Sequence, residues 1–98
     1  WIVSAADIPD PTQLWLTTTL NGQTVQHSQT DDLIFDIPTI IEYISGITPL
    51  QAGDIIATGT PDGVGMARKP PLWLQPGDLI EVQISQIGCL SNGVRDSD

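Results

Sequence analysis

The side chains able to carry chemistry are few in this sequence, and they do not gather into a familiar constellation. His27 is the single histidine and Cys89 the single cysteine. No nucleophile–base pair can be assembled around the serines, and Cys89 lies in an apolar stretch with nothing beside it to lower its pKa. With no second His, Cys or Glu nearby, His27 is read as structural or solvated. The richer candidate is made of backbone. Gly53-Asp54-Ile55-Ile56-Ala57-Thr58-Gly59-Thr60-Pro61-Asp62-Gly63-Val64-Gly65 is a short apolar run entering a glycine-rich loop. Gly59, Gly63 and Gly65 remove the Cβ atoms that would hold a ligand or another segment at a distance, and Pro61 stiffens the turn. The loop is therefore a candidate ligand-facing surface, although the same glycines also suit tight turns between strands. It is no phosphate-cradling P-loop, because its glycines do not precede Lys followed by Ser or Thr. Asp31, Asp54, Asp62 and Asp78 fall in turns, where a carboxylate can bond local backbone, and this reading is preferred to metal binding.

Composition narrows the partners. Twelve acidic residues against three basic ones give a formal net charge of −9. Arg68, Lys69 and Arg95 cannot form a stripe that neutralises phosphates, which argues against nucleic acid and anionic membrane surfaces. Arg68 and Lys69 are read as solvated loop charges. No apolar run approaches the roughly 20 residues that cross a bilayer, so a soluble chain is expected. One cysteine offers neither a disulfide framework nor a zinc spacing; it favours a reducing, cytoplasmic setting with Cys89 as a buried inert thiol. At 98 residues the chain suits one domain with a modest core. Its opening, Trp1-Ile2-Val3, has no start signal, basic n-region or cleavage site, so a piece of a longer protein is expected.

The elements that must hold the loop are legible from period and punctuation. After the connector Asp7-Ile8-Pro9-Asp10-Pro11, residues Gln13 to Leu20 predict a strand with Leu14, Leu16 and Leu20 on one face. Asn21-Gly22 predicts a type I′ turn returning through Gln23 to Gln29, with Thr18 opposite Val25 and Leu16 opposite His27 on the leucine side or its rim. Ile37, Ile40, Ile41 and Ile44 form one apolar helical face, with Asp36 as N-cap, Pro38 in the first turn and Gly46 at the C-terminal end. Ile55 to Ala57 predict a strand covered on both faces. The phrase Leu50-Gln51-Ala52-Gly53-Asp54 recurs as Leu74-Gln75-Pro76-Gly77-Asp78, one turn device used twice, and the second launches a strand from Leu79 with Ile80, Val82 and Ile84 inward and Glu81 and Gln83 wet. The fold class is mixed, β-rich α+β with one short helix.

At the glycine loop the sequence resembles the fumarylacetoacetate hydrolase family, in the C-terminal part of its prokaryotic-type, single-domain members. The resemblance is carried by Gly53 to Gly65, by Leu74-Gln75-Pro76-Gly77-Asp78 and by Ile87-Gly88-Cys89-Leu90-Ser91-Asn92. Upstream it continues through Trp1-Ile2-Val3, Ile8-Pro9-Asp10-Pro11 and Thr30-Asp31-Asp32-Leu33-Ile34-Phe35, covering nearly the whole chain. It implies a mixed β-roll or sandwich, usually homodimeric, with residues 1–98 as the C-terminal portion of one catalytic domain. It also implies cleavage of C–C bonds in acylpyruvate, 1,3-dicarbonyl or 2-oxo acid substrates, with hydrolase, decarboxylase or isomerase chemistry. One Mg²⁺ or Mn²⁺ would act there as a Lewis acid. Thr58 matches the threonine that contacts the substrate's carboxylate or carbonyl, and Gly59 its neighbour in the pocket wall. The family's metal-binding carboxylates, lysine and acid–base pair match nothing here, so these residues are not expected to catalyse alone. From another class, a non-catalytic acidic β module that binds a partner is the alternative.

Overall fold

In the computed structural model, which describes residues 2–97, four strands and one helix are joined by loops and single 3-10 turns. Trp1 of the opening apolar run and Asp98 of the polar tail lie outside the described residues. Strand β1 (Trp15–Leu20) and strand β2 (Gln23–Gln29) form the hairpin that Asn21-Gly22 predicts. Both turn residues have positive φ, 50° and 80°, as a two-residue I′ connection requires.

The register departs from expectation. Beyond Thr19 and Thr24, Thr18 faces Gln26 and not Val25, and Leu16 faces Ser28 and not His27. Val25 is an extra residue on β2, and such a bulge moves every later side chain of that strand to the opposite face. His27, now opposite Thr17, therefore leaves the leucine side. Its ring stacks on Trp15 with centroids 4.7 Å apart and planes 8° from parallel, and its Nδ1 lies 2.8 Å from the Thr17 Oγ1.

Strand β3 (Leu79–Ile84) pairs antiparallel with β1 and with β4 (Gly88–Gly93), giving the sheet order β2-β1-β3-β4. Leu16, Thr18 and Leu20 stand opposite Ile84, Val82 and Ile80, so these six side chains share one face of the sheet. Glu81 and Gln83 lie on the other with Thr17 and Thr19, as their alternation predicts.

The two repeated turns are built alike. In each, the aspartate Oδ2 accepts the glutamine N–H at 2.8 Å, Asp54 from Gln51 and Asp78 from Gln75, and the intervening Gly53 and Gly77 have φ of 97° and 94°. That is the positive φ of a type II turn. The second turn leads into β3. After the first, Ile55 to Ala57 join no ladder among the described residues, and Ile55 is 86% exposed. The strand expected there is instead an unpaired segment: an apolar run becomes a covered strand only against a neighbour.

Helix α1 (Ile37–Ser45) begins and ends where predicted. Asp36 Oδ1 accepts the Thr39 N–H at 2.9 Å, Pro38 sits in the first turn, and the Gly46 N–H closes onto the Glu42 carbonyl. Ile37, Ile40 and Ile44 are half-buried while Ile41 is exposed, so the apolar face is only partly covered. The core is correspondingly thin. Ile8 and Leu14 are the buried apolar residues among those described, and Thr18 the buried polar one. The radius of gyration, 15.9 Å, exceeds the roughly 13 Å of a compact domain this size. Cys89 is exposed, not buried as expected, because β4 is an edge strand of an incompletely covered sheet.

One polar tie fixes the hairpin turn to the start of β3. Asn21 Nδ2 donates to Asp78 Oδ1 at 2.9 Å, and the Leu79 N–H donates to Asn21 Oδ1 at 2.8 Å. The Asn21 bond, then the Gln75 N–H, hold the Asp78 carboxyl below the usual carboxylate value. Thr12 does the same for Asp10 and Thr39 for Asp36. A lowered folded value means that the stabilisation is complete above the ordinary carboxylate range and is lost as pH falls through the lowered value. Asp78→Asn is expected to flatten the acid limb of the stability profile, read by thermal unfolding from about pH 6 to about pH 2. An unaltered acid limb in that variant would show that Asp78 carries none of it.

Candidate functional site

The glycine-rich loop is docked on β2 at the bulge. Gln26, brought to the leucine face by the shifted register, donates from Nε2 to Thr60 Oγ1 at 3.0 Å and to the Pro61 carbonyl at 2.9 Å. Arg68 donates from Nε to the Gly63 carbonyl at 3.0 Å and from Nη2 to the Val25 carbonyl. Arg68 is thus half-buried and engaged with backbone, which corrects its reading as a solvated charge. Its guanidinium, with directed donors, satisfies the Gly63 and Val25 carbonyls at the loop and the bulge.

The glycines divide between the two roles the sequence left open. A Cβ on Gly63 would lie 2.1 Å from the Val25 carbonyl oxygen, and one on Gly65 would lie 1.9 Å from that of Leu72. These two permit backbone to press on backbone. Gly59 differs: its φ is 106° and nothing lies within 4 Å of where a Cβ would be. It presents bare, accessible backbone to open space.

Gly59 also lines a groove of about 340 Å³. Thr58 and Gly59, the two residues singled out from the sequence, are exposed and line it. Leu16 from β1, Leu33 and Phe35 from the β2–α1 loop and Ile40 from the helix give it an apolar side. Ser28, Thr30 and Asp32 line it as well, and a lining that mixes hydroxyls, exposed backbone and a carboxylate with hydrocarbon can receive a small molecule having a polar head and an apolar remainder. Asp54 and Asp78 hold their own turns, as expected of turn aspartates. Among the described residues no three His, Cys, Asp or Glu come together as a group able to hold a metal ion. No helix of the described residues is long and apolar enough to cross a membrane. Sequence reasoning missed Gln26 and Arg68, because Gln26 reaches this face only through a bulge that alternation does not reveal.

Comparison with known proteins gives the family and the fold. The family model described as fumarylacetoacetate (FAA) hydrolase C-terminal matches residues 1–95, and the chain belongs to that family. Oxaloacetate tautomerase YisK of Bacillus subtilis is 45% identical over 93 residues, 95% of this chain and 31% of that protein. A crystal structure from Mycobacterium smegmatis superposes on 97% of the chain with a TM-score of 0.92 and 42% identity, the chain covering 35% of it. A maleylpyruvate hydrolase from Sphingobium sp. SYK-6, in complex with manganese (II) ion and pyruvate, does so over 97% of the chain and 33% of its own at a TM-score of 0.84 and 40% identity. The family therefore holds hydrolases and tautomerases, and these structures share the β-rich fold described above. The chain spans about a third of the length of the relatives it matches.

The docked loop generates a stability expectation. Gly63→Ala combines a positive φ with a backbone clash, which should destabilise by about 1–3 kcal/mol and loosen residues 60–63. Chemical denaturation reads the first effect and amide hydrogen exchange the second; wild-type values in both would mean that Val25 and Gly63 do not press together.

Proposed function

We propose that residues 1–98 are the C-terminal portion of a single catalytic domain acting on a small 2-oxo acid or 1,3-dicarbonyl compound, with Thr58 and Gly59 contacting the substrate's carboxylate or carbonyl. The observation that carries this reading is that Thr58 and Gly59 are both exposed and both line the groove, with no side chain at Gly59 to cover its main chain. A threonine hydroxyl can donate to an anionic oxygen, and the absent Cβ at Gly59 lets that oxygen approach the main chain. The hydrocarbon of Leu16, Leu33, Phe35 and Ile40 would take the less polar part of the molecule. Relatives that act on oxaloacetate, or that hold pyruvate, support the substrate class, since both compounds carry a carboxylate beside a 2-oxo group.

In this reading the chain binds and orients, while proton transfer belongs to other parts of the protein. A divalent ion, Mg²⁺ or Mn²⁺, is proposed as cofactor on the strength of the manganese-bound relative. The described residues do not fit a metal site, so its ligands would come from outside them, and the isolated chain would be inactive. A homodimeric whole protein is part of the same proposal.

Thr58→Val in the full-length protein removes the hydroxyl while nearly keeping the volume. It should lower kcat/KM by about 10- to 100-fold, the usual range for a lost hydrogen bond to a charged group. Oxaloacetate tautomerisation, oxaloacetate decarboxylation and acylpyruvate hydrolysis, each with added Mg²⁺, measure it and separate the three activities. Unchanged turnover in the variant would take Thr58 out of the site.

A further inference from the structure

We infer that Gln26 is a positioning residue for the substrate, acting through Thr60 and Pro61 on the Thr58–Gly59 wall. The inference rests on the reading of that wall given above, and adds the side chain that sets where the wall stands.

Three observations converge on it. The first is reach: a single amide nitrogen, Nε2 of Gln26, donates to two adjacent residues, to Thr60 Oγ1 at 3.0 Å and to the Pro61 carbonyl at 2.9 Å. Both hydrogens of that amide are thereby used, which fixes the side-chain plane as well as its direction. The second is location. Thr60 and Pro61 follow Thr58 and Gly59 directly, and all four line the groove. The third is the want of other support. Residues 55–59 join no ladder among the described residues. The Cβ direction of Gly59 meets nothing within 4 Å. Gln26 itself stands on a sheet strand, opposite the buried Thr18, so the clamp runs from the paired sheet to a segment that joins no ladder among the described residues.

The chemistry required of residue 26 is specific. Pro61 offers only a carbonyl, so its partner must donate, and a carboxylate of the same length cannot. Gln26→Glu places an acceptor against an acceptor at nearly unchanged volume; Gln26→Leu removes the polar head and leaves the Pro61 carbonyl unpaired.

The test is a double-mutant cycle in the full-length protein, with pyruvate in the presence of Mn²⁺ as the probe and calorimetry as the readout. Gln26→Leu and Gln26→Glu are each expected to raise the pyruvate Kd about tenfold, the effect of losing roughly one hydrogen bond's worth of positioning. In a Thr58→Val background the same substitutions are expected to change Kd by clearly less, about threefold or under, because of the wall's two contacts only that of the Gly59 backbone remains to be positioned. Amide hydrogen exchange at residues 59–63 should quicken in both variants, with exchange in β1 and β3 unchanged. An effect of Gln26 that persists in full beside Thr58→Val would show a general structural role and overturn the inference. So would wild-type affinity and exchange in both Gln26 variants. Failure of the underlying reading looks different: Thr58→Val would then bind pyruvate as the wild type does, or the wild type would not bind it at all, and the positioning role would fall with the wall it serves.

Discussion

One extra residue in β2 is the constraint on which the site depends. Had β1 and β2 paired without interruption, Gln26 would have stood opposite Thr17, on the face that carries His27 and Trp15. The bulge at Val25 instead turns Gln26 inward opposite Thr18 and leaves a carbonyl for Arg68. Bulges commonly re-aim a side chain beside functional sites. Here the consequence is that two polar side chains, Gln26 and Arg68, fasten a glycine-rich loop to a sheet, and Gly63 allows the main chains to approach closely enough for both to reach. Bulge, glycine, amide and guanidinium are therefore a single device. Removing any one leaves a donor or acceptor without its partner, and an unmet group costs more than the bond contributed.

The sheet supplies this device with rigidity, but it does not supply the whole chain with a core. Leu14, just before strand β1, and Thr18 within it are buried, whereas Ile34 is 94% exposed and Tyr43, Ile47, Met66 and Leu90 are also open. Such breadth of uncovered hydrocarbon is what a surface destined for contact looks like. It accords with a chain that spans about a third of its relatives' length.

Local features were legible in the sequence to the extent that one or two residues determine them. Asn21-Gly22 dictates the turn, Asp36 and Pro38 the start of the helix, and Gly-Asp at 53–54 and 77–78 the paired turns, because each is decided by backbone preference and a single short hydrogen bond. The register beyond Thr19 was not legible, since nothing in the alternation of β2 marks Val25 as surplus. The roles of Gln26 and Arg68 were hidden for the same reason: each is tied to a segment 34 or more residues away, or to a carbonyl freed only by the bulge. The segment Ile55 to Ala57 shows the opposite failure. Its composition correctly signals an affinity for cover, but composition cannot say whether the cover lies within the same 98 residues. Gly59 was a candidate from its missing Cβ as well as from the family resemblance, whereas Thr58 was singled out by the resemblance alone, since a threonine beside a glycine is too common a pair to signify by itself.

That same segment bears on how a wall with so few bonds can hold a position. It is anchored at its start by the Gln51–Asp54 turn and at its end by the Gln26 clamp. Between these anchors five residues, 55–59, span at most about 18 Å if extended. Alternation along an extended segment would put Ile55 and Ala57 on one side and Ile56 and Thr58 on the other. Ile56 is half-buried and Ile55 exposed, consistent with a chain that already has one side turned to the protein. A neighbour laid over Ile55 would then stiffen the segment from the side away from Thr58. Covering the apolar run and keeping the Thr58 hydroxyl at the groove are thus compatible demands, and the polar clamp sets the register in which both are met.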